Sequence, residues 1–100
     1  MTEPYRTFHI NGGVEPIQET LLGRITAWHA KGSIEFRRRD HSVVELTRFR
    51  LPQMKFVEQE VARRFGLELA RLFVDVFYRD FVMERYEAEK RRIQENRQCR

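Results

Sequence analysis

The chain of 100 residues predicts an α+β protein in which a three-stranded antiparallel meander, four-stranded if Tyr5–Ile10 joins it, is followed by two C-terminal helices, the second long and mostly apolar. Three observations predict this. Polar and apolar residues alternate with a period of two between Thr20 and Phe49, the spacing becomes three-to-four after Leu51-Pro52, and apolar residues crowd between Leu67 and Met83 before charge takes over. With 41% hydrophobic and 34% charged residues the chain can bury a core, which excludes low-complexity and collagen-like classes. Its length suits one domain, residues 1–100.

Residues 1–19 are expected to form a strand and a loop. Pro4, Asn11-Gly12-Gly13 and Pro16 punctuate the segment and leave Tyr5–Ile10 as a short edge strand, with Asn11-Gly12-Gly13 as a turn. The meander spans 20–49. Its first strand starts at Thr20, with Ile25, Ala27 and His29 on one side and Arg24, Thr26 and Trp28 on the other. Lys31-Gly32 supplies the positive-φ residue of a tight hairpin, so Ile34 and Phe36 return opposite His29 and Ala27. The third strand, Ser42–Phe49, turns its apolar set inward only if an odd-length connection or a bulge precedes it, because a one-residue slip exchanges the two faces.

Proline at a first helical position loses only an amide that would lack a partner, so Leu51-Pro52 predicts a helix over 52–65. Met54, Val57, Val61 and Phe65 form its apolar stripe. Gly66 followed by Leu67 suits a C-terminal cap, with Leu67 folding back toward Ala62. The stripe stays in phase through Leu69, Leu72, Val76 and Met83, as one continuous helix requires. Such a helix over 52–95 would run ~65 Å at 1.5 Å per residue, more than a small meander can cover, and a break at Gly66 is expected. The second helix, 67–95, has twelve apolar residues among its first seventeen. Its end, beyond Glu84, is charged and frays into the tail.

A helix this apolar outstrips the surface that its own sheet can offer. The function expected is therefore a small non-enzymatic interaction or regulatory module that dimerises, or docks into a larger assembly, through Phe73, Val74, Phe77 and Phe81. Its partner would be a second copy or another protein. The alternative is nucleic-acid binding. Residues 24–50 carry seven basic and three acidic side chains, and the rest of the chain has twelve of each, so the whole net charge of +4 lies on the meander. Under the expected register Arg24, Arg37 and Arg39 surround Trp28, with Phe49 on the next strand, an arrangement able to stack RNA or single-stranded DNA bases and contact phosphate. The competing reading is a solvated strand end whose arginine stems cover Trp28.

Val61-Ala62-Arg63-Arg64-Phe65-Gly66-Leu67 resembles the centre of a helix-turn-helix unit in its small-residue spacing. Glu68-Leu69-Ala70 lacks the Ser/Thr/Asn/Gln-rich start of a base-reading helix, so an ordinary helix corner is the better reading. His9, His29 and His41 lie on separate elements without metal-pair spacing; a zinc site with Asp40 is the weaker reading, and no metal or cofactor is expected. No nucleophile elbow or phosphate-cradling loop marks an enzyme. The single cysteine, Cys99, has no partner in the sequence, and no apolar run exceeds three residues, which together point to a cytoplasmic protein without a membrane span.

Overall fold

The computed structural model describes residues 1–18 and 23–98. Four antiparallel strands stand in chain order in one sheet: β1 (Thr2–Tyr5), β2 (Phe8–Gln18), β3 (Ile25–Arg37) and β4 (Val43–Phe56). Two helices follow, α1 (Gln59–Phe77) and α2 (Met83–Gln98). The α+β arrangement of an antiparallel sheet and two C-terminal helices is as expected, with four strands in the sheet. Cys99 and the expected strand start at Thr20 lie outside the described residues.

The hairpins fall in different places. Lys31-Gly32 is no turn: β3 runs straight through it, and Gly12 pairs with Gly32 and Gly13 with Lys31 in the middle of the β2–β3 ladder. Asn11-Gly12-Gly13 is likewise internal to β2, which also takes in Pro16 opposite Trp28. Glycine marks turns because it tolerates positive φ, but it also marks places where another backbone comes close. Here the second use applies. The glycine with positive φ is Gly23, at 64°, in the connection between β2 and β3. The other reversals use Arg6 at φ 54° between β1 and β2, and His41 at φ 68° between β3 and β4.

The connection from Arg38 to Ser42 has five residues, and Val44 pairs with Phe36, which is the odd-length solution. A register shift between Ile34 and Glu35 follows. In β4, Leu51 pairs with Ala30 and Phe56 with Trp28, so residues 52–55 bulge out opposite His29. Pro52 therefore sits in the outermost strand and does not start a helix. A proline without a donor suits an edge strand or a bulge as well as it suits a first helical turn, and the sequence signal is the same.

Gly66 does not break the chain either. α1 is continuous from Gln59 to Phe77, in place of helices at 52–65 and 67–95, and the interruption comes at Tyr78–Val82. The apolar stretch thus belongs mainly to the first helix, while α2 is charged along its length. Phe81 turns back onto the rings of Phe8 (5.3 Å), Phe36 (5.5 Å) and Tyr78 (5.7 Å), drawing the chain away from the axis of α1.

The core lies between α1 and the first face of the sheet. Phe8, Ile10, Ala30 and Ile34 meet Ala62, Leu67, Ala70 and Val74, all buried. At the crossing the two layers touch through backbone. A Cβ on Gly66 would overlap the carbonyl oxygen of Lys31, and one on Gly12 would overlap the carbonyl of Arg63 and come within 2.9 Å of the Leu67 nitrogen. The opposite sheet face is polar, as an antiparallel sheet covered on one side allows. Asn11 Nδ2 donates to Ser33 Oγ at 2.9 Å, and Arg50 pairs with Glu15 across the strands. Gly66→Ala is expected to lower stability by about 1–3 kcal/mol through overpacking, although alanine is intrinsically about 1 kcal/mol better inside a helix. Urea denaturation measures this, and a neutral result would contradict the close seating of α1.

Candidate functional site

Once β3 is straight, the expected nucleic-acid face comes apart. Trp28 and Arg37 lie on one strand nine residues apart, about 30 Å at 3.3 Å per residue, and nine is odd, so their side chains leave opposite faces. Arg24 precedes β3 and Arg39 follows it, both exposed. Phe49 faces α1, with its ring stacked on Phe73 at 5.3 Å and lying across Gly32. Trp28 is half-buried between Pro16 and Phe56. These five residues do not form one surface, because the hairpin at Lys31-Gly32 that would have folded them together is absent.

The four residues expected at a protein interface also separate. Val74 is 0% exposed and part of the core, so it cannot meet a partner. Phe81 is half-buried in the aromatic cluster with Phe8, Phe36 and Tyr78, and it touches Tyr86 at the start of α2. Phe73 is half-buried between Phe49 and Phe77. Phe77, at 69% exposure, is the one that reaches solvent.

A different set forms the exposed apolar surface. Helical periodicity at 100° per residue puts Val61, Phe65, Leu72 and Val76 within about 60° of one another, on the side of α1 turned away from Ala70 and Val74. Leu72 and Val76 are 55% and 61% exposed, and Val61 and Phe65 are exposed as well. The stripe leans toward β4, where the ring of Phe65 contacts Phe56 at 5.3 Å. On the other flank α1 is tied to β1 by polar contacts: Tyr5 Oη donates to Asp75 at 2.8 Å, Arg6 pairs with Asp75 at 3.0 Å, and Arg71 pairs with Glu3. One flank of α1 is polar and engaged, the other apolar and open. The in-phase positions 61, 65, 72 and 76 were visible in the sequence, but the supposed break at Gly66 divided them between two helices.

The second feature is basic. The end of β3 and the start of α2 enclose a cleft of about 750 Å³, with Phe36 and Phe81 among its walls and Arg37, Arg38 and Arg39 along one rim. Arg38 reaches across it to Glu87 of α2. Among the described residues Arg37 and Arg39 make no ion pair, whereas Arg48 and Arg50 are paired with Glu45 and Glu15. In the adjoining turn the Asp40 carboxylate accepts hydrogen bonds from the Ser42 hydroxyl (2.6 Å) and amide (3.0 Å), and these hold its pKa below the ordinary aspartate value.

The histidines stay apart. His9 lies in β2 opposite Pro4 and Glu35, His29 Nδ1 is 3.0 Å from the Met54 carbonyl oxygen, and His41 is in the turn. Among the described residues no group of three or more His, Cys, Asp or Glu side chains is placed to hold a metal ion. No described helix is long and apolar enough to cross a membrane. Comparison with protein-family models, with curated proteins and with solved structures finds no match.

Since Asp40 has its pKa lowered by the folded turn, the stability it contributes is present above the ordinary aspartate range and is lost as pH falls through the depressed value. Ser42→Ala is expected to move the Asp40 titration upward toward the ordinary value, read by NMR; an unchanged titration would deny the role of the Ser42 hydroxyl.

Proposed function

We propose that the chain is a small non-enzymatic protein-interaction module whose contact surface is the exposed stripe of α1. One observation carries this reading: Val61, Phe65, Leu72 and Val76 form a contiguous apolar row on a helix whose opposite side already fills the core. Isolated exposed apolar side chains are ordinary on any protein, but a row of four along one helix is the kind of patch that partners cover. The role first ascribed to the second helix thereby passes to the first. A cytoplasmic setting suits this reading, since the sequence has one cysteine and no second to pair with it.

The arginine rim supports a second reading, nucleic-acid binding at the cleft between β3 and α2 instead of at Trp28. What favours it is that Arg37 and Arg39, which make no ion pair among the described residues, line the same cleft as the apolar rings of Phe36 and Phe81. Aromatic rings beside cations suit single-stranded nucleic acid.

Leu72→Glu together with Val76→Glu is expected to weaken association by more than about 100-fold, given about 1.5–3 kcal/mol for each large apolar side chain buried, with an unchanged circular-dichroism melt. Sedimentation velocity reads the change; association indifferent to both substitutions removes the proposal. For the second reading, RNA or single-stranded DNA affinity should fall steeply between about 50 and 200 mM salt, and Arg37→Glu with Arg39→Glu should abolish it. Retention of binding under both changes rejects nucleic acid as the ligand of the cleft.

A further inference from the structure

We infer that the partner covering the α1 stripe is a second copy of this chain, with the two α1 helices crossing antiparallel about a two-fold axis that passes beside Glu68 and Leu69. This rests on the reading of the stripe as a protein-contact surface and goes further, because it names the occupant and its register.

Val61, Phe65, Leu72 and Val76 are separated by four, seven and four residues, a pattern that reads the same from either end. In an antiparallel pair centred between positions 68 and 69, residue i comes level with residue 137 − i of the other copy. Val61 then lies level with Val76, about 11 Å from the centre, and Phe65 with Leu72, about 5 Å from it, at 1.5 Å rise per residue. Each of these four residues is level with an apolar residue of the partner, and Leu69 lies beside the axis. A two-fold contact uses the same patch twice and must be complementary to itself; an unrelated partner would impose no such symmetry.

Charge supplies the second, independent observation. Glu58 stands at the N-terminal cap of α1 and Arg79 just beyond its C-terminal end, and both are exposed. The same rule brings Glu58 level with Arg79, one opposite-charge pair at each end of the contact. A parallel pair would set Glu58 against Glu58 and Arg79 against Arg79, so the charges select the antiparallel register. The helix dipoles are also opposed in that register. The side of the stripe away from β4 is bounded by Glu68, which approaches its own copy beside the axis in either register with its charge offset by the Arg71 ion pair, so a polar rim borders the apolar row.

Disulfide capture in the full chain tests the register. In a Cys99→Ser background, Glu68→Cys lies beside the two-fold axis and is expected to link to its own copy under mild oxidation, because the two Cβ atoms are then within disulfide reach. Val61→Cys alone should not link. A mixture of Val61→Cys and Val76→Cys proteins should give the mixed dimer. Glu58→Arg and Arg79→Glu should each weaken dimerisation about 2–5-fold, as rim charges do, and the two together should restore it. Self-linking of Val61→Cys would establish a parallel pair and overturn the inference while leaving the contact surface intact. A wild-type chain that remains monomeric at 100 µM would also overturn it, and the stripe would then belong to another protein. A dimer that survives Leu72→Glu with Val76→Glu and links none of these cysteines would overturn the contact surface itself.

Discussion

The seating of α1 directly on the backbone of β2 and β3 governs the rest of the molecule. At Gly12, Lys31 and Gly66 there is no room for a side chain between helix and sheet. The layers can approach this closely where the residue between them is small, and the buried side of α1 accordingly carries Ala62, Gly66 and Ala70, with Leu67 and Val74 as its larger members. Close approach multiplies dispersion contacts that are individually weak. It also leaves little volume beneath the helix. The other large residues of α1 are therefore displaced to its flanks, where Phe65 meets Phe56 and Phe73 meets Phe49, and to its outer side, where Leu72 and Val76 meet solvent.

The aromatic cluster at the far end follows from the same crossing. Phe8, Phe36, Tyr78 and Phe81 fill the widening wedge between the C-terminal end of α1 and the sheet, with ring centroids 5.3–6.0 Å apart. Phe81 can join them only if the chain leaves the helical path after Phe77, so packing and not a glycine decides where α1 stops. The ion pairs around β1 act differently. Arg6–Asp75 is largely exposed, and pairs of this kind contribute little stability in water. Their effect is directional: they fill one flank of α1 with engaged polar groups and so leave the apolar row on the other.

Asn11-Gly12-Gly13, Lys31-Gly32, Pro52 and Gly66 all have the local signature of punctuation, and each proves internal to a strand or helix. Glycine and proline describe what a backbone lacks, a Cβ or an N–H, and the local sequence does not say whether the space left is used by a turn, by an edge or by another layer. A hairpin at Lys31-Gly32 would bring Arg24, Trp28, Arg37 and Arg39 onto one face, and the straight β3 separates them. That Val74 faces the sheet is hidden for a related reason, since periodicity ranks positions around a helix without saying which of two apolar sides meets the sheet.

The amino-acid order alone was enough for the α+β class, the antiparallel meander, the odd-length connection that sets Val44 against Phe36, and an amphipathic helical phase running unbroken from Val61 to Val76. These depend on periods of two and about 3.6 residues, which are local properties of the chain. Which glycines would be contacts, where α1 would end and which apolar residues would stay uncovered depended on residues distant in sequence meeting in space. Gly12, Lys31 and Gly66 acquire their shared role only after two strands and a helix have been stacked, because exclusion of a Cβ is a property of the neighbouring layer and not of the residue that lacks it.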